Sequence, residues 1–383
     1  MRQTTGKYAL LLVALLTGVE GVRAQAPEGP MAPRPGQPVQ QTPSDVQAKL
    51  KVRVALVNMP VTVRDSKGDM VHDLDAKDFR ITDNGVAQTI SHFDLGGDPL
   101  SVVILIETSL RIDPILPEIR KTGILFTQTV MSSEGEGAVV GFNDAVDKLQ
   151  DFTNDGDSIE NVMTHLQTGT SGSRLYDAMA VGVEMLSSRL PQPTADKPGK
   201  RRVMLVLSET VDAGSEAKLG EVLRKAQLAN VTIYSVGLST TRSELHSKPK
   251  DSRPAPIAPP GIMTLPPPPG TIQTPTTEAT RNSGVDLLGL AVWAVEHADN
   301  KIKDHAMEVA CTATGGAHLS TYKDRSIEKA IDEIGGELHS QYTVGYAPTD
   351  TNDLGYHEIK VQVDRKDLKV RARPGYYVTP PES

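Results

Sequence analysis

Cysteine is nearly absent from this sequence of 383 residues: Cys311 is the only one, which excludes an internal disulfide and any thiolate-rich zinc site. It stands in the apolar helical run Met307-Glu308-Val309-Ala310-Cys311 and reads as core. A surplus of positive charge is missing as well. The 40 basic side chains face 48 acidic ones, a formal net charge of −8, so no broad basic field exists to hold nucleic acid. Long apolar runs are lacking too. The run from Tyr8 to Leu16 falls far short of the roughly 20 residues that cross a bilayer, and no later segment does better, so no membrane span is expected in the mature chain. Catalytic signatures fail in turn. Gly135-Glu136-Gly137-Ala138-Val139-Val140-Gly141 has one residue too many for a dinucleotide loop and precedes a strand where that motif must follow one. Walker, His-Glu-x-x-His and Gly-x-Ser-x-Gly patterns do not occur, and the nine histidines show no metal-ligand spacing in any predicted helix. The expectation is a protein that is not an enzyme, with a hydrolase using Ser173 and His165 as the remote alternative.

What is present begins with the three parts of a secretory signal over residues 1–24: basic Arg2 and Lys7, the apolar run, and small residues before Ala24-Gln25. Export to the periplasm or beyond follows, with cleavage after Ala24; an uncleaved anchor is the competing reading. Cysteine is absent near that point, which removes the attachment site of a lipoprotein. Residues 25–46 are rich in Pro, Gln, Gly and Ala and read as a flexible leader. From 47 to 97 the pattern turns to period two, with Leu50, Val52, Val54 and Leu56 followed by Val61 and Val63, as a half-buried strand requires. Turns are predicted at Ser66-Lys67-Gly68-Asp69 and Asp83-Asn84-Gly85, before strands around Phe79 to Thr82 and Val86 to Phe93.

Residues 98–339 change character. Buried strands are predicted at Ser101 to Ile106, Gly137 to Phe142, Val203 to Leu207, Val231 to Val236 and Ala317 to Leu319. Helices are predicted over Pro114 to Val130, Ile159 to Leu166, Leu175 to Leu190, Ala217 to Ala229, a stretch through Ala310, and Ile327 to His339. This alternation predicts an α/β fold, a doubly wound and mostly parallel sheet flanked by helices. Within it, residues 244–281 are dense in proline and cannot pair in a sheet; they read as a solvated insertion loop, or else as a ligand for an aromatic groove. Residues 340–378 return to period two. Tyr342, Val344 and Tyr346, then Ile359, Val361 and Val363, then Val370 and Tyr376 mark three strands, with 379–383 left as a tail. Three strands alone would leave an apolar face bare, so they are expected to pack with the N-terminal strands as one sandwich-like all-β unit in which the α/β domain is inserted.

Several segments, taken in order, resemble the von Willebrand factor A-type (VWA) family. Ile104-Leu105-Ile106-Glu107-Thr108-Ser109-Leu110-Arg111 stands where that family has Asp-x-Ser-x-Ser after its first strand. Gly172-Ser173-Arg174-Leu175-Tyr176-Asp177-Ala178 is similar to its Gly-Thr-x-Leu-Tyr-Asp-Ala stretch, Leu205-Val206-Leu207-Ser208-Glu209 to the strand ending in Thr-Asp, and Thr314-Gly315-Gly316 to the turn before the last strand. The flanks, from Val61-Thr62-Val63-Arg64-Asp65 to Gly375-Tyr376, resemble the VWFA-related acidobacterial subset. The resemblance runs from about residue 50 to 378.

It implies a loop face at the carboxyl ends of the strands, where the family usually holds magnesium and binds proteins or other macromolecules. Carried over position by position, Glu107, Ser109, Ser173 and Glu209 would be the metal ligands, and Arg111 stands where the second serine should be. Only Ser109 keeps the family's residue. Magnesium wants hard oxygen donors, whereas a guanidinium has no lone pair to offer and carries its own charge. Three readings stay open: a degenerate magnesium site, Arg111 substituting for the ion by pairing with the glutamates, or a solvated cluster with no ligand. The expected partner is a protein or other extracytoplasmic macromolecule. The competing function is a structural scaffold of an envelope or secreted assembly.

Overall fold

The computed structural model describes residues 56–96, 98–131, 134–189, 200–238, 305–321, 326–349 and 354–378. The expected signal peptide, leader, proline-rich insertion and C-terminal tail lie outside these residues. In chain order the strands are β1 Val57–Arg64, β2 Phe79–Asp83, β3 Val86–Gln88, β4 Ile90–Leu95, β5 Leu100–Glu107, β6 Glu136–Phe142, β7 Val146–Thr153, β8 Arg201–Ser208, β9 Val231–Gly237, β10 His318–Ser320, β11 Tyr342–Tyr346, β12 Gly355–Val363, β13 Lys369–Arg371 and β14 Gly375–Val378. The α-helices are α1 Leu116–Lys121, α2 Gly123–Leu125, α3 Gly156–Thr164, α4 Leu175–Ser187, α5 Leu219–Leu228, α6 Ala306–Thr314 and α7 Ile327–Leu338.

A six-stranded sheet in the order β10-β9-β8-β5-β6-β7 forms the centre of the α/β domain. All its pairings are parallel except β6 with β7. Every residue of β5, β6 and β9 is buried, as continuous apolar runs covered on both faces require. Alternation along β5 assigns the two covers. Val103 and Leu105 pack with α4, α5 and α6, whereas Val102, Ile104 and Ile106 face Phe126, Val130, α3 and α7. The doubly wound sheet expected from the sequence is therefore present, with helices on both sides.

Two four-stranded antiparallel sheets, β13-β1-β11-β4 and β14-β12-β2-β3, interleave strands from before and after the α/β domain. Their shared core includes Met59, Val61, Phe79, Ile81, Tyr342 and Tyr346. The Asp83-Asn84-Gly85 turn connects β2 to β3 with both Asn84 and Gly85 at positive φ, 47° and 80°, the twist a two-residue hairpin favours.

Four expectations need correction. The segment 86–93 is two strands: β3 pairs with β2 in one sheet, and β4 crosses to pair with β11 in the other. Val370 and Tyr376 likewise belong to separate strands, β13 beside β1 and β14 beside β12, with Pro374, which has no amide proton to donate, between them. The helix foreseen over 114–130 is segmented. A 3-10 turn Leu110–Ile115 carries Pro114, α1 and α2 follow, and a π-helical stretch Phe126–Met131 ends the run. Finally, β7 was not foreseen. Its apolar residues Val146, Leu149 and Phe152 are spaced by three, and the pairing with β6 carries register shifts along the same stretch, as bulges produce.

Candidate functional site

From β5 the chain moves to β6 and β7 on one side, then returns past β5 to place β8 on the other. The carboxyl ends of β5 and β8 therefore flank the topological switch point, where open α/β sheets bind their ligands. Glu107 ends β5, and Ser208 ends β8 with Glu209 just beyond it.

Glu107 is fully buried, and its carboxylate is held from three directions. Oε1 accepts from the Ser109 hydroxyl at 2.6 Å; Oε2 accepts from the Ser208 hydroxyl and from the Glu209 amide, each at 2.9 Å. Arg111 lies in the turn after β5. Its Nη2 stands 3.9 Å from Glu107 Oε1 and its Nε 3.9 Å from Glu209 Oε2. Those are ion-pair distances rather than hydrogen bonds, and the buried Arg111 Nε has no hydrogen-bond partner. The guanidinium is about one-third exposed, whereas the two glutamate side chains are 0% and 3% exposed.

Ser173 precedes α4 and reaches the neighbouring loop by backbone: the Ala213 amide donates to Ser173 O at 2.7 Å. Its hydroxyl is buried without a partner. It therefore has no bond to His165, whose Nδ1 lies 2.7 Å from Asn161 O of its own helix, and the Ser173–His165 hydrolase pair is not formed. The structure thus draws Glu107, Ser109, Arg111 and Glu209 together and ties Ser173 by its backbone to Ala213 in the loop after β8.

The loops owe their shape to short-range polar contacts. The Thr108 amide donates to Phe142 O at 2.8 Å, Gly169 N to Thr108 O at 2.8 Å, and Leu110 N to Thr170 O at 3.0 Å. Asp177, within the Leu-Tyr-Asp-Ala stretch, accepts from Arg174 Nε at 2.7 Å and from Ala217 N at 2.8 Å, so it fastens the loop after β8 to the start of α4. Burial, with Asp212 nearby, pushes the Tyr176 phenol well above its ordinary range. Thr210 sits at φ 67°, a strained conformation for a β-branched residue. Its amide is met by Ser208 Oγ at 2.8 Å. Ser208, which bonds both Glu107 and Thr210, was not among the expected site residues. Its place in the Ser208-Glu209 pair, where the resembled strand ends in Thr-Asp, was the available signal.

These residues do not fit a magnesium ion. The ion needs about six oxygens at roughly 2.0 to 2.1 Å, but both Glu107 oxygens already accept from protein donors, and a cationic guanidinium stands beside both carboxylates. Among the described residues no group of three or more His, Cys, Asp or Glu is arranged to hold a metal.

No family model and no curated protein matches the sequence. Solved structures do match. The vWF domain of the type V pili tip protein Mfa5 from Porphyromonas gingivalis is 16% identical with a TM-score of 0.28, over 32% of this chain and 41% of that one. BatB from Bacteroides thetaiotaomicron is 13% identical with a TM-score of 0.37, over 62% of this chain and 98% of that one. An aerotolerance-related membrane protein from Bacteroides fragilis is 11% identical with a TM-score of 0.38, over 62% and 98%. The chain thus spans about two-fifths of the pilus tip domain it matches. These likenesses concern fold alone. The strand order, the single antiparallel edge and the placement of the resembled loop segments at the switch point agree with one another. The α/β domain is similar in fold to von Willebrand factor A-type domains. Arg111 stands where the resembled pattern has its second loop serine, beside both glutamates.

Proposed function

We propose that this chain is an exported, non-enzymatic protein that binds a protein or other macromolecule through the loop face of its VWA-type domain. The observation that carries the reading is the switch point itself. Glu107 and Glu209 are buried there, and the same two loops present Leu110 and Val211, 56% and 49% exposed. Apolar side chains beside a charged centre give an incoming surface both area to bury and a feature to orient against. Export rests on the secretory pattern of residues 1–24. Among the described residues no helix is long and apolar enough to cross a membrane.

A scaffold role through the β unit is the second reading, favoured by the apolar side chain of Val86, 56% exposed on strand β3 at the sheet edge. The two readings separate by mapping. Cross-linking after capture from an envelope extract, with and without chelator, should place partner contacts on Leu110, Arg111 and Val211. Leu110→Asp with Val211→Asp should reduce capture at least tenfold. Contacts confined to the β unit, with capture unchanged in that variant, would establish the scaffold reading in its place.

A further inference from the structure

We infer that Arg111 is a tethered cation that takes the place of a metal ion, so that the loop face is assembled without any divalent cation. Two carboxylates buried at the ends of adjacent strands repel one another, and a cation within about 4 Å relieves that repulsion. Arg111 supplies one at 3.9 Å from each. Three of the roughly four lone-pair sites of Glu107 accept from Ser109, Ser208 and the Glu209 amide, donors that compete with a metal for the same oxygens. A guanidinium carries its own charge and offers no ligand atom. It therefore excludes a second cation from the space it fills. The geometry also explains the chain's departures from the resembled pattern as one set: glutamates with stems one methylene longer accompany a cation that comes from the protein's own loop.

The inference concerns the loop face of the proposed function and rests on that reading for its biological use. Cation titration needs no partner, so the failure of one is distinguishable from the failure of the other. The test is calorimetry of the purified protein with magnesium and manganese chloride at physiological ionic strength, paired with thermal melts in chelator and in excess magnesium. Wild type should show no saturable binding and no change in melting temperature. Arg111→Ser, which restores a hydroxyl and removes the cation, should melt lower than wild type and bind magnesium saturably, with excess ion raising its melting temperature by about 2 to 4 °C or more. Adding Glu107→Asp should tighten that binding further. Arg111→Met should melt as low as the serine variant with no rescue by the ion, and Arg111→Lys should stay close to wild type and insensitive to magnesium. Saturable magnesium binding by wild type, lost in Glu209→Ala, overturns the inference. So does an Arg111→Lys protein that melts as low as Arg111→Met, or folded serine variants that bind no ion.

Discussion

Two buried glutamates in this molecule, Glu107 and Glu337, are solved in opposite ways. Glu337 lies on α7 and is 4% exposed. It accepts from Tyr234 OH at 2.7 Å, from Arg64 Nη2 at 3.0 Å, from Thr62 and Gln341 at 3.3 Å each, and from Arg371. Those partners come from β9 of the α/β domain, from β1 and β13 of the β unit and, with Gln341, from just ahead of β11, so one carboxylate draws together segments up to 275 residues apart. Its cations are in hydrogen-bonding contact. Glu107 is bonded only by neighbours at the sheet end, and its cation stands off at 3.9 Å with an unpartnered Nε. Ser173, paired by its backbone with Ala213 in the loop after β8, keeps a buried hydroxyl without a partner. The contrast teaches where to look for function. A buried charge whose bonds join distant elements is part of the framework, whereas one beside a strained residue and a loose ion pair at a switch point is a site.

The largest expected effect breaks the framework side of this comparison. Glu337→Ala leaves Arg64, Arg371 and the Tyr234 hydroxyl without their acceptor and should cost about 3 to 5 kcal/mol in denaturant unfolding; a loss below about 1 kcal/mol would remove the distinction between the two glutamates. Next comes Tyr234→Phe. Burial and the Glu337 charge push that phenol far above its ordinary range, so it acts as a donor at every accessible pH, and its loss should cost about 1 to 3 kcal/mol.

A third glutamate sharpens the contrast through pH. Burial raises the Glu136 pKa, but the bond from Arg189 at 2.6 Å, the bond from Ser101 and the charge of Lys200 outweigh it and leave the group below the ordinary value of 4.5. A carboxylate depressed in the folded state contributes stability that is present above its unfolded pKa and is lost as pH falls through the folded one. Melting temperature should therefore fall with pH below about 4.5, and Glu136→Gln should flatten that acid limb while lowering the plateau at neutral pH. An unchanged limb in the variant would place the acid sensitivity elsewhere. The smallest effect belongs to the site. Because its hydroxyl has no partner, Ser173→Ala should change stability by less than about 1 kcal/mol in the same unfolding assay, in contrast to Glu337→Ala.

Most of the fold was legible because its strands announce themselves. The continuous apolar run of β5 and the helical spacing of α4 and α7 each have one economical reading, and their alternation leaves few topologies. What escaped was the behaviour of the chain where it changes sheets. Thr89 and the residues around Pro374 look like interruptions of single strands in one dimension, and only the pairing partners reveal a crossing. Strand β7 escaped for a related reason, since bulges in its pairing spoil the period that would have exposed it. At the site, the resemblance pointed to Glu107 and Glu209 at or just past the ends of β5 and β8, to Ser109 and Arg111 in the turn after β5, and to Ser173 ahead of α4. It could not show that Ser208 bridges Glu107 to Thr210, or that the Ser173 hydroxyl is left unbonded, because both depend on side-chain direction rather than on position.

The most direct test of the account is crystallographic. Crystals of the wild-type protein soaked in manganese chloride should give no anomalous peak between Glu107 and Glu209, with the Arg111 guanidinium filling that space beside both carboxylates. An anomalous peak coordinated by Glu107, Ser109 and Glu209, with Arg111 swung out to solvent, would contradict it.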